Sequence, residues 1–322
     1  MKELPLVSVV CLCYNQSRWL DEAVMSVLNQ TYKNVQLIIV DDASTDDSVT
    51  KIKRLKDAYP SIEIILSAKN RGNCAAFNEA LKKVTGDFVI DFAADDVMMP
   101  TRIERQIEFF KQLDSSYGVV FTNAEYIDAT GRFIRNHYDY LFQRKLLSKV
   151  PQGDVYRDVL STYFIASPTM MVRKEVFDKI GGYDEALAYE DFDFWVRSSR
   201  IFKYRFLDES LTKVRRTGLS MSSGWYKVGD RQLHSTYLVC CKAIHLNRDE
   251  DDVSALLKRV RYEMRQSVFS ENHDEAHLFY ELLRAINRIN RKDKFLMLAD
   301  RLKLPLKRFR SFYYSIRFKR GE

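Results

Sequence analysis

Acidic pairs follow two apolar segments in the first hundred residues of the chain. Asp41-Asp42 comes directly after one of these segments, and Asp95-Asp96 comes after another. Carboxylate and diphosphate oxygens are ligands that Mg²⁺ and Mn²⁺ prefer, and a carboxylate also accepts hydrogen bonds from base N–H groups and ribose hydroxyls. Aspartate is equally a good N-cap of a helix. The two pairs therefore indicate either a site for a metal ion and a nucleotide or two helix caps.

A third acidic pair, Glu190-Asp191, lies in a segment rich in aromatic residues. A carboxylate at the start of a helix and among aromatic side chains can have a shifted pKa, which suits it to remove a proton from a hydroxyl group. Helix capping is the commoner role of an isolated acidic pair. The pair is therefore a candidate catalytic base or a cap.

The elements that must position these acids alternate regularly along the chain. Val7–Cys13 and Val35–Val40 are rich in β-branched residues and nearly continuous in apolarity, which is typical of buried parallel strands. Helical patterns follow both, and Ile62–Leu66 and Gly86–Ile90 predict two further strands. This alternation predicts an α/β fold with a doubly wound, mostly parallel sheet. In such sheets ligands bind beyond the carboxyl ends of the strands, where the first two acidic pairs stand.

The middle of the chain is less regular. Its predicted elements are a strand at Tyr117–Thr122, a hairpin at Asn123–Arg135, a helix at Asp154–Ile165, a strand at Thr169–Arg173, and helices at Glu175–Ile180 and Tyr189–Ser199. From about Trp225 the pattern is helical to the end of the chain. We therefore expect a helical C-terminal region behind the α/β domain.

Glycine-rich phosphate loops are missing from the sequence. No Gly-x-Gly-x-x-Gly follows the first strand, and no Gly-x-x-x-x-Gly-Lys-Ser/Thr occurs anywhere. These absences argue against dinucleotide oxidoreductases and P-loop NTPases. If the chain binds phosphates, a divalent metal ion held by carboxylates is the simplest alternative.

Composition limits the class of protein further. Of the 322 residues, 46% are hydrophobic and 30% charged, as in a folded globular protein. No apolar run approaches the roughly 18–20 residues of a membrane span, and the start of the chain does not resemble a secretory signal. The five cysteines are odd in number and lack zinc-ligand spacing, so we expect reduced thiols in a cytoplasmic protein.

The net charge of +7 is concentrated in the last hundred residues. Residues 223–322 contain 21 basic and 13 acidic residues, whereas residues 1–222 are nearly balanced. This asymmetry predicts a catalytic domain at 1–222 and a basic, helical region at 223–322 that docks on something anionic.

The segment 301–320 carries most of this excess charge. It contains eight basic residues and no acid, interleaved with aromatic and aliphatic side chains. Such a stretch can lie on an anionic membrane surface, or it can form a tail helix that packs on the protein or on another subunit. Nucleic acid is not expected as a partner, because the acidic strand ends would repel phosphates without a metal ion and no nucleic-acid module is present.

Six segments, taken together and in this order, resemble the inverting glycosyltransferases of family 2, which have the Rossmann-like GT-A fold. They are Val7-Ser8-Val9-Val10 with Tyr14-Asn15, Ser26–Tyr32, Ile39–Asp46, Asn70-Arg71-Gly72 with Ala76 and Asn78, Gly86-Asp87 with Ala94-Asp95-Asp96 and Pro100, and Glu190-Asp191-x-Asp193. The resemblance covers about residues 5–220. Each segment alone is a weak signal, but the ordered set is specific.

The resemblance implies a nucleotide-diphospho-sugar donor, most often a UDP-sugar. It assigns the uracil or ribose to Leu12, Tyr14 and Asp42, with help from Asn73 and Asn78. These assignments are expectations that follow from the family alone.

The same resemblance implies a metal ion and a catalytic base. Ala94 and Asp95 complete the donor site, and Asp95 corresponds to the acid that binds Mn²⁺ or Mg²⁺. Asp191, next to Glu190, corresponds to the base that removes the proton of the acceptor hydroxyl as its oxygen attacks the anomeric carbon. The metal ion would offset the charge that builds on the departing diphosphate.

Two departures from the family pattern bear on the metal ion. The family usually has aspartate where this chain has Ala93, and many members have a histidine where this chain has Thr217. Arg215 or Arg216 could neutralise the diphosphate directly and lower the dependence on metal.

The expected function is therefore hexosyl or N-acetylhexosaminyl transfer, with inversion, to a hydroxyl of a glycan or lipid-linked acceptor in surface polysaccharide biosynthesis. A cytoplasmic enzyme, peripheral at the inner face of the membrane, would suit that acceptor. The alternative is a catalytically inactive relative that uses the GT-A fold for binding or as a scaffold.

Overall fold

The first four strands form the parallel half of a mixed sheet. In the computed structural model, which describes residues 4–217 and 226–304, they are β1 (Val7–Cys13), β2 (Val35–Asp41), β3 (Glu63–Leu66) and β4 (Phe88–Ala93). They pair in the order β3-β2-β1-β4. The connecting helices are α1 (Ser17–Leu28), α2 (Ser48–Ala58) and α3 (Asn73–Leu81). Buried Val and Ile side chains in β1, β2 and β4 explain why the apolar runs form central strands.

The second half of the sheet has mixed directions. It contains β5 (Val97–Met98), β6 (Tyr117–Ile127), β7 (Phe133–Asn136), β8 (Met171–Arg173) and β9 (Lys203–Arg215). The order continues β4-β8-β6-β9-β5, and β7 pairs with β6. Of these pairs, only β6 with β9 is parallel. The expected α/β fold is confirmed, and its parallel pairs are confined to β1–β4 and to β6 with β9.

The shorter helices of the α/β part differ in detail from the prediction. They are α4 (Arg102–Phe110), α5 (His137–Gln143), α6 (Tyr156–Ser161), α7 (Lys174–Ile180) and α8 (Asp191–Ser198). The predicted helix at Asp154–Ile165 is too long. The observed helix α6 begins at Tyr156 and ends at Ser161, and Thr162 after it is extended. Helix α7 ends at a glycine: Gly181 has φ 78°, and its N–H donates to the Phe177 carbonyl.

Within residues 226–304, four helices follow the sheet: α9 (Arg231–Leu246), α10 (Glu250–Phe269), α11 (His273–Ala285) and α12 (Arg291–Arg301). One buried cluster joins them to the sheet, because Phe192 and Trp195 of α8 belong to the same core as Val239 of α9 and Leu256 of α10. The predicted boundary at 222/223 falls within 218–225, outside the described residues, so the two-domain division remains a prediction.

The described part of the chain contains no helix that is both long and apolar enough to cross a membrane. Most of the predicted membrane-binding segment, residues 305–320, lies outside the described residues. All five cysteines are free thiols, and four of them are buried.

Candidate active site

The carboxyl ends of β1, β2 and β4 meet at one edge of the sheet. Leu12 is opposite Val40 of β2 and Ala93 of β4 in the register, and the Ala94 N–H donates to the Leu12 carbonyl at 2.9 Å. Tyr14, the next residue but one, is 48% exposed. The sheet therefore brings together the residues that the family resemblance assigns to the nucleotide.

Asp42 is buried at this edge and shapes the loop that leads into α3. Its carboxylate accepts hydrogen bonds from the backbone N–H of Arg71 at 2.9 Å and of Gly72 at 2.8 Å. Gly72 has φ 86°, a conformation that favours glycine. The Asn70 amide donates to the Asp42 carbonyl. Because Asp42 organises the Asn-Arg-Gly loop, its substitution would disturb more than one wall of the donor site.

The loops after β1 and β2 hold each other. Asn15, with φ 53°, accepts a hydrogen bond from the Thr45 N–H through its side-chain oxygen at 2.8 Å, and its own N–H donates to the Ser44 hydroxyl. The Asp41 carboxylate accepts the Ser44 N–H. These contacts stiffen the part of the edge that flanks Tyr14.

The two acids after β4 have different roles. Asp96 is buried, and its carboxylate accepts the Arg215 backbone N–H at 2.8 Å. Burial raises the pKa of Asp96, and the charge of Asp95 adds to the shift. Asp95 is half-buried. Burial raises its pKa too, while Arg215 and a hydrogen bond from Gln16 oppose the rise. Asp96 therefore stabilises the fold by holding the Arg215 backbone, whereas Asp95 is the acid at the rim of the candidate site, after the carboxyl end of β4.

Arg215 is held in place behind Asp95. Its guanidinium donates to the Asp95 carbonyl at 2.8 Å and to the Asp128 carbonyl at 3.2 Å, and it forms an ion pair with Glu22 at 2.7 Å. Its side chain is almost fully buried. Arg216 is exposed and lies over the Tyr126 ring at 4.3 Å. Both predicted diphosphate contacts are thus close to the rim, but only Arg216 reaches the surface.

The donor atoms at the rim suit a metal ion that is shared with a substrate. In residues 4–217 and 226–304, no group of three or more His, Cys, Asp or Glu side chains is arranged to hold a metal ion. Mg²⁺ and Mn²⁺ are commonly held by one or two carboxylates together with substrate phosphates. Asp95 fits that arrangement, since it is a single half-buried carboxylate with its neighbour Asp96 turned inward.

Glu190 and Asp191 stand at the start of α8. The Asn73 amide donates a hydrogen bond to the Glu190 carboxyl. Burial raises the pKa of Asp191, while hydrogen bonds with Ser167 and Glu190 oppose the rise. The pKa of Glu190 is raised further, by burial and by the charges of Asp191 and Asp91. The pair therefore contains a carboxyl that holds its proton beside one that loses it more readily.

Asp91 is a third member of this acidic cluster that sequence reasoning did not assign to the base. Its carboxylate accepts a hydrogen bond from the Tyr183 hydroxyl at 3.0 Å. Burial raises the pKa of Asp91 to about 7, the Tyr183 hydrogen bond opposes that rise, and Asp191 adds to it. The available signal was an acid inside the apolar strand β4, directly before Phe92.

Asn78 positions the segment that carries Tyr183. Its amide donates to the Tyr183 carbonyl at 2.8 Å and its oxygen accepts the Tyr183 N–H at 2.9 Å. A Cβ on residue 182 would lie 2.7 Å from the Asn78 side-chain oxygen, so the backbone of Gly182 can lie this close to Asn78 only because glycine has no side chain. The structure therefore places Asn78 beside the acidic cluster, with its side chain engaged in these contacts.

A cleft of about 650 Å³ opens beside Asn73. Its walls are the loop 70–74, the segment 185–188 that precedes Glu190, and the segment 227–232 from the helical region. The cleft is bordered by one predicted site residue, Asn73, whose amide donates to Glu190 of the candidate catalytic pair.

The segment 226–232, here called the cleft wall, is attached to the C-terminal helices. The Asn272 side chain accepts the Gly229 N–H at 2.7 Å and donates to the Lys227 carbonyl at 2.9 Å. The Tyr226 hydroxyl donates to Glu263 of α10 at 3.0 Å. Sequence reasoning did not identify this wall, because the contacts that hold it join residues about 40 positions apart.

Comparison with known proteins agrees with this geometry. The protein combines an α/β sheet that has an acidic edge with a carboxylate pair at a helix start. The family model for glycosyl transferase family 2 matches residues 8–181. The chain belongs to glycosyl transferase family 2 and carries a glycosyltransferase domain.

Individual relatives cover this chain to different extents. An uncharacterized glycosyltransferase of Rickettsia prowazekii is 32% identical over 213 residues, which is 66% of this chain and 64% of the relative. Another, from Rickettsia conorii, is 28% identical over 65% of this chain and 34% of its own length. The matched region thus spans less than two thirds of these relatives.

Solved structures extend the likeness in fold to the helical region. TarS 1–349 of S. aureus in complex with UDP-GlcNAc has a TM-score of 0.69 at 17% identity and covers 97% of this chain and 91% of its own. A mannosyltransferase from Pyrobaculum calidifontis in complex with GDP-Man and Mn²⁺ has a TM-score of 0.61 at 17% identity, covering 97% and 84%. The GT-A fold is therefore confirmed.

Proposed function

We propose that this protein transfers a hexosyl or N-acetylhexosaminyl group from a UDP-sugar to a hydroxyl group of a glycan or lipid-linked acceptor, with inversion at the anomeric carbon. The observation that carries the proposal is the placement of Asp191 at the start of α8, next to Glu190. Glu190 accepts a hydrogen bond from the Asn73 amide, and Asn73 follows the loop that Asp42 organises and borders the cleft. A base connected in this way to the donor loop is what a single displacement requires.

The donor is assigned to the edge formed by β1, β2 and β4. Leu12, Tyr14 and Asp42 contact the base and ribose, and the Asn70–Asn73 loop covers them. Asn73 and Asn78 serve this site from α3, one through Glu190 and the other through the Tyr183 segment. The complex of TarS with UDP-GlcNAc supports a UDP-sugar by structural analogy.

Asp95 is the residue assigned to Mn²⁺ or Mg²⁺, next to Ala94. The ion, when bound, offsets negative charge on the departing diphosphate. Arg215 adds positive charge behind the same rim, and exposed Arg216 is placed for direct contact with a phosphate. Ala93 stands where the family usually has an aspartate, and Thr217 stands where many members have a histidine. Because these two groups are missing, Arg215 and Arg216 neutralise a larger share of the diphosphate charge.

Asp191 acts as the base. Its carboxylate takes the proton of the acceptor hydroxyl while that oxygen bonds to the anomeric carbon and the bond from carbon to diphosphate oxygen breaks. The nucleoside diphosphate leaves on the opposite face, which inverts the configuration. Burial raises the pKa of Asp191, which makes it a stronger base than a surface aspartate at the same pH, and Ser167 orients it.

The acceptor approaches through the cleft between the loop 70–74 and the cleft wall. We assign it to surface polysaccharide synthesis at the cytoplasmic face of the membrane. The basic segment 301–320 supports this location by its charge. Most of that segment lies outside the described residues, so the support comes from its sequence.

Calorimetric titration of UDP tests the donor site. We expect UDP to bind, binding to strengthen with Mn²⁺, and the Mn²⁺ effect to be lost in Asp95→Ala. Asp96→Asn is the matched control, because Asp96 braces the Arg215 backbone behind the rim. Binding that is indifferent to Mn²⁺ in both proteins would move the diphosphate contact to Arg215 and Arg216. Absence of UDP binding would contradict the proposed donor.

A further inference from the structure

An apolar surface lies exposed on the strand β7 and the helix α5. Phe133 and Ile134 of β7 are 59% and 49% exposed, and Phe142 of α5 and Leu146 just after it are 40% and 47% exposed. Four large apolar side chains within fourteen residues are unusual on the surface of a soluble domain, where such residues are normally scattered singly. We call residues 132–149 the β7–α5 surface.

The two elements form one continuous surface. α5 begins directly after β7, and the Arg135 guanidinium of β7 lies 3.6 Å from the centre of the Tyr140 ring of α5. The underside is anchored, because His137 and Tyr138 are buried and the His137 ring hydrogen-bonds to the Tyr126 hydroxyl and the Phe164 carbonyl. The exposed apolar side chains are therefore carried on a fixed base.

Basic residues outnumber acidic ones in the same segment. Residues 132–149 contain five basic residues, namely Arg132, Arg135, Arg144, Lys145 and Lys149, and a single acidic one, Asp139. In the part of the chain that the structure describes, Arg132, Lys145 and Lys149 form no salt bridge. Apolar side chains that can enter a lipid interface, together with exposed cations in the same segment, complement an anionic bilayer.

The β7–α5 surface also borders the donor edge. The turn between β6 and β7 packs on the site: the Trp19 indole donates to the Ala129 carbonyl at 3.1 Å, and Arg215 donates to the Asp128 carbonyl. The same Arg215 holds the Asp95 carbonyl. A bilayer on this surface would therefore lie beside the rim of the active site.

We infer that the β7–α5 surface docks on an anionic lipid bilayer, with Phe133, Ile134, Phe142 and Leu146 in the interface and the exposed cations of the same segment on the headgroups. This docking is separate from any contact of residues 301–320. It does not depend on the proposed transfer reaction, since only the surface and its charges carry it.

Vesicle co-sedimentation of the full chain tests the inference. We expect binding to phosphatidylglycerol-containing vesicles and little binding to phosphatidylcholine alone. Phe133→Ser with Ile134→Ser should lower the partition coefficient about tenfold, since two apolar side chains no longer enter the interface. Lys145→Gln with Lys149→Gln should lower it by about 25-fold, because each cation near the surface contributes roughly fivefold.

Matched variants control for general effects. Ile201→Ser changes an isoleucine that is 50% exposed, like Ile134, but lies before β9 at the far end of the sheet from Arg215. Lys53→Gln removes an exposed cation from α2. Both should bind vesicles as the wild type does. The segment 301–320 is present in every protein compared, so its contribution cancels.

Three results would overturn the inference. The first is equal binding by the wild type and both double variants, which would assign membrane contact to another segment. The second is binding that does not require anionic lipid. The third is a wild-type dimer that Phe133→Ser with Ile134→Ser converts to monomer in sedimentation velocity, which would make the surface a protein interface. UDP titration of the same samples reports on the proposed function independently.

Discussion

The donor edge and the cleft wall are built in opposite ways. At the edge, the loops after β1 and β2 hold each other through Asn15 and Ser44, and Asp42 holds the loop 70–72, which also borders the cleft. The cleft wall at 226–232 depends on Asn272 and Glu263 of the C-terminal helical region. The donor side is therefore specified by short loops on the sheet, whereas the cleft wall is positioned by the packed helices.

Because of this difference, we expect loss of nucleotide binding and loss of transfer to result from substitutions in different parts of the protein. A change at the edge should weaken nucleotide binding, whereas a change in the helices that hold the wall should impair transfer and leave nucleotide binding intact. Asn272→Ala tests the wall, Asp191→Asn tests the candidate base and Asp91→Asn tests the buried acidic cluster, and they are given from the largest expected effect to the smallest.

Asp191→Asn should have the largest effect. Asparagine keeps the size of the side chain but cannot accept the proton, so transfer should fall by about 10²–10⁴-fold, the usual contribution of a general base. UDP affinity, measured by calorimetry, should stay within about twofold because the substitution removes a base and not a group assigned to the donor. Substantial transfer by Asp191→Asn would refute its assignment as base.

Asn272→Ala should have an intermediate effect. It removes the hydrogen bonds to Gly229 and Lys227, so the cleft wall should loosen and transfer should fall about tenfold, with UDP affinity unchanged. Asn247→Ala is a matched control, because it removes a hydrogen bond from Tyr156 within the same helical region but away from the wall. If both variants lose transfer in proportion to their loss of thermal stability, Asn272 has only a structural role.

Asp91→Asn should change the pH dependence of stability. Burial raises the pKa of Asp91 from about 3.8 to about 7, so the folded protein binds more protons than the unfolded chain between these values. The contribution of Asp91 to stability is therefore fully present below pH 4 and is lost as the pH rises to 7. Asparagine does not ionise, and we expect Asp91→Asn to gain about 1–3 kcal/mol relative to wild type between pH 5 and pH 8.

Thermal unfolding of both proteins across this range measures the gain. Tyr183→Phe is the companion variant: it removes the hydrogen bond that favours the charged form of Asp91, so its stability should fall more steeply than that of wild type as the pH rises. Parallel curves for wild type and Asp91→Asn would show that Asp91 does not titrate in this range.

The first half of the fold was predictable because its signals are local. Short, uninterrupted apolar runs favour buried strands, and the segments between them have helical patterns, so the parallel direction of these strands follows. The candidate residues at the strand ends were predictable for the same reason. The different roles of Asp95 and Asp96 could not be predicted from the sequence, because the two acids are adjacent and identical. Only the tertiary structure shows that the Asp96 carboxylate accepts the Arg215 N–H.

The strand β9 shows why the second half was harder. Residues 203–215 mix charged and apolar side chains, and the strand is stabilised by pairing with β6, which lies more than 80 positions earlier in the chain. Sequence reasoning assigned this segment no element. The helix at Asp154–Ile165 was overestimated for a related reason: the apolar residues after Ser161, such as Phe164 and Ile165, serve the core from an extended segment.

The sequence by itself determined the parallel strands, the acidic residues at their carboxyl ends and the family to which the chain belongs, because these depend on residue type, short spacing and order. Only the tertiary structure decided which acid is buried, how Asp91 and Tyr183 join Glu190 and Asp191, and how Asn272 holds the cleft wall. Those features are contacts between segments that are distant in the sequence. The pKa of a side chain depends on its burial and on the charges next to it, and tertiary packing decides both.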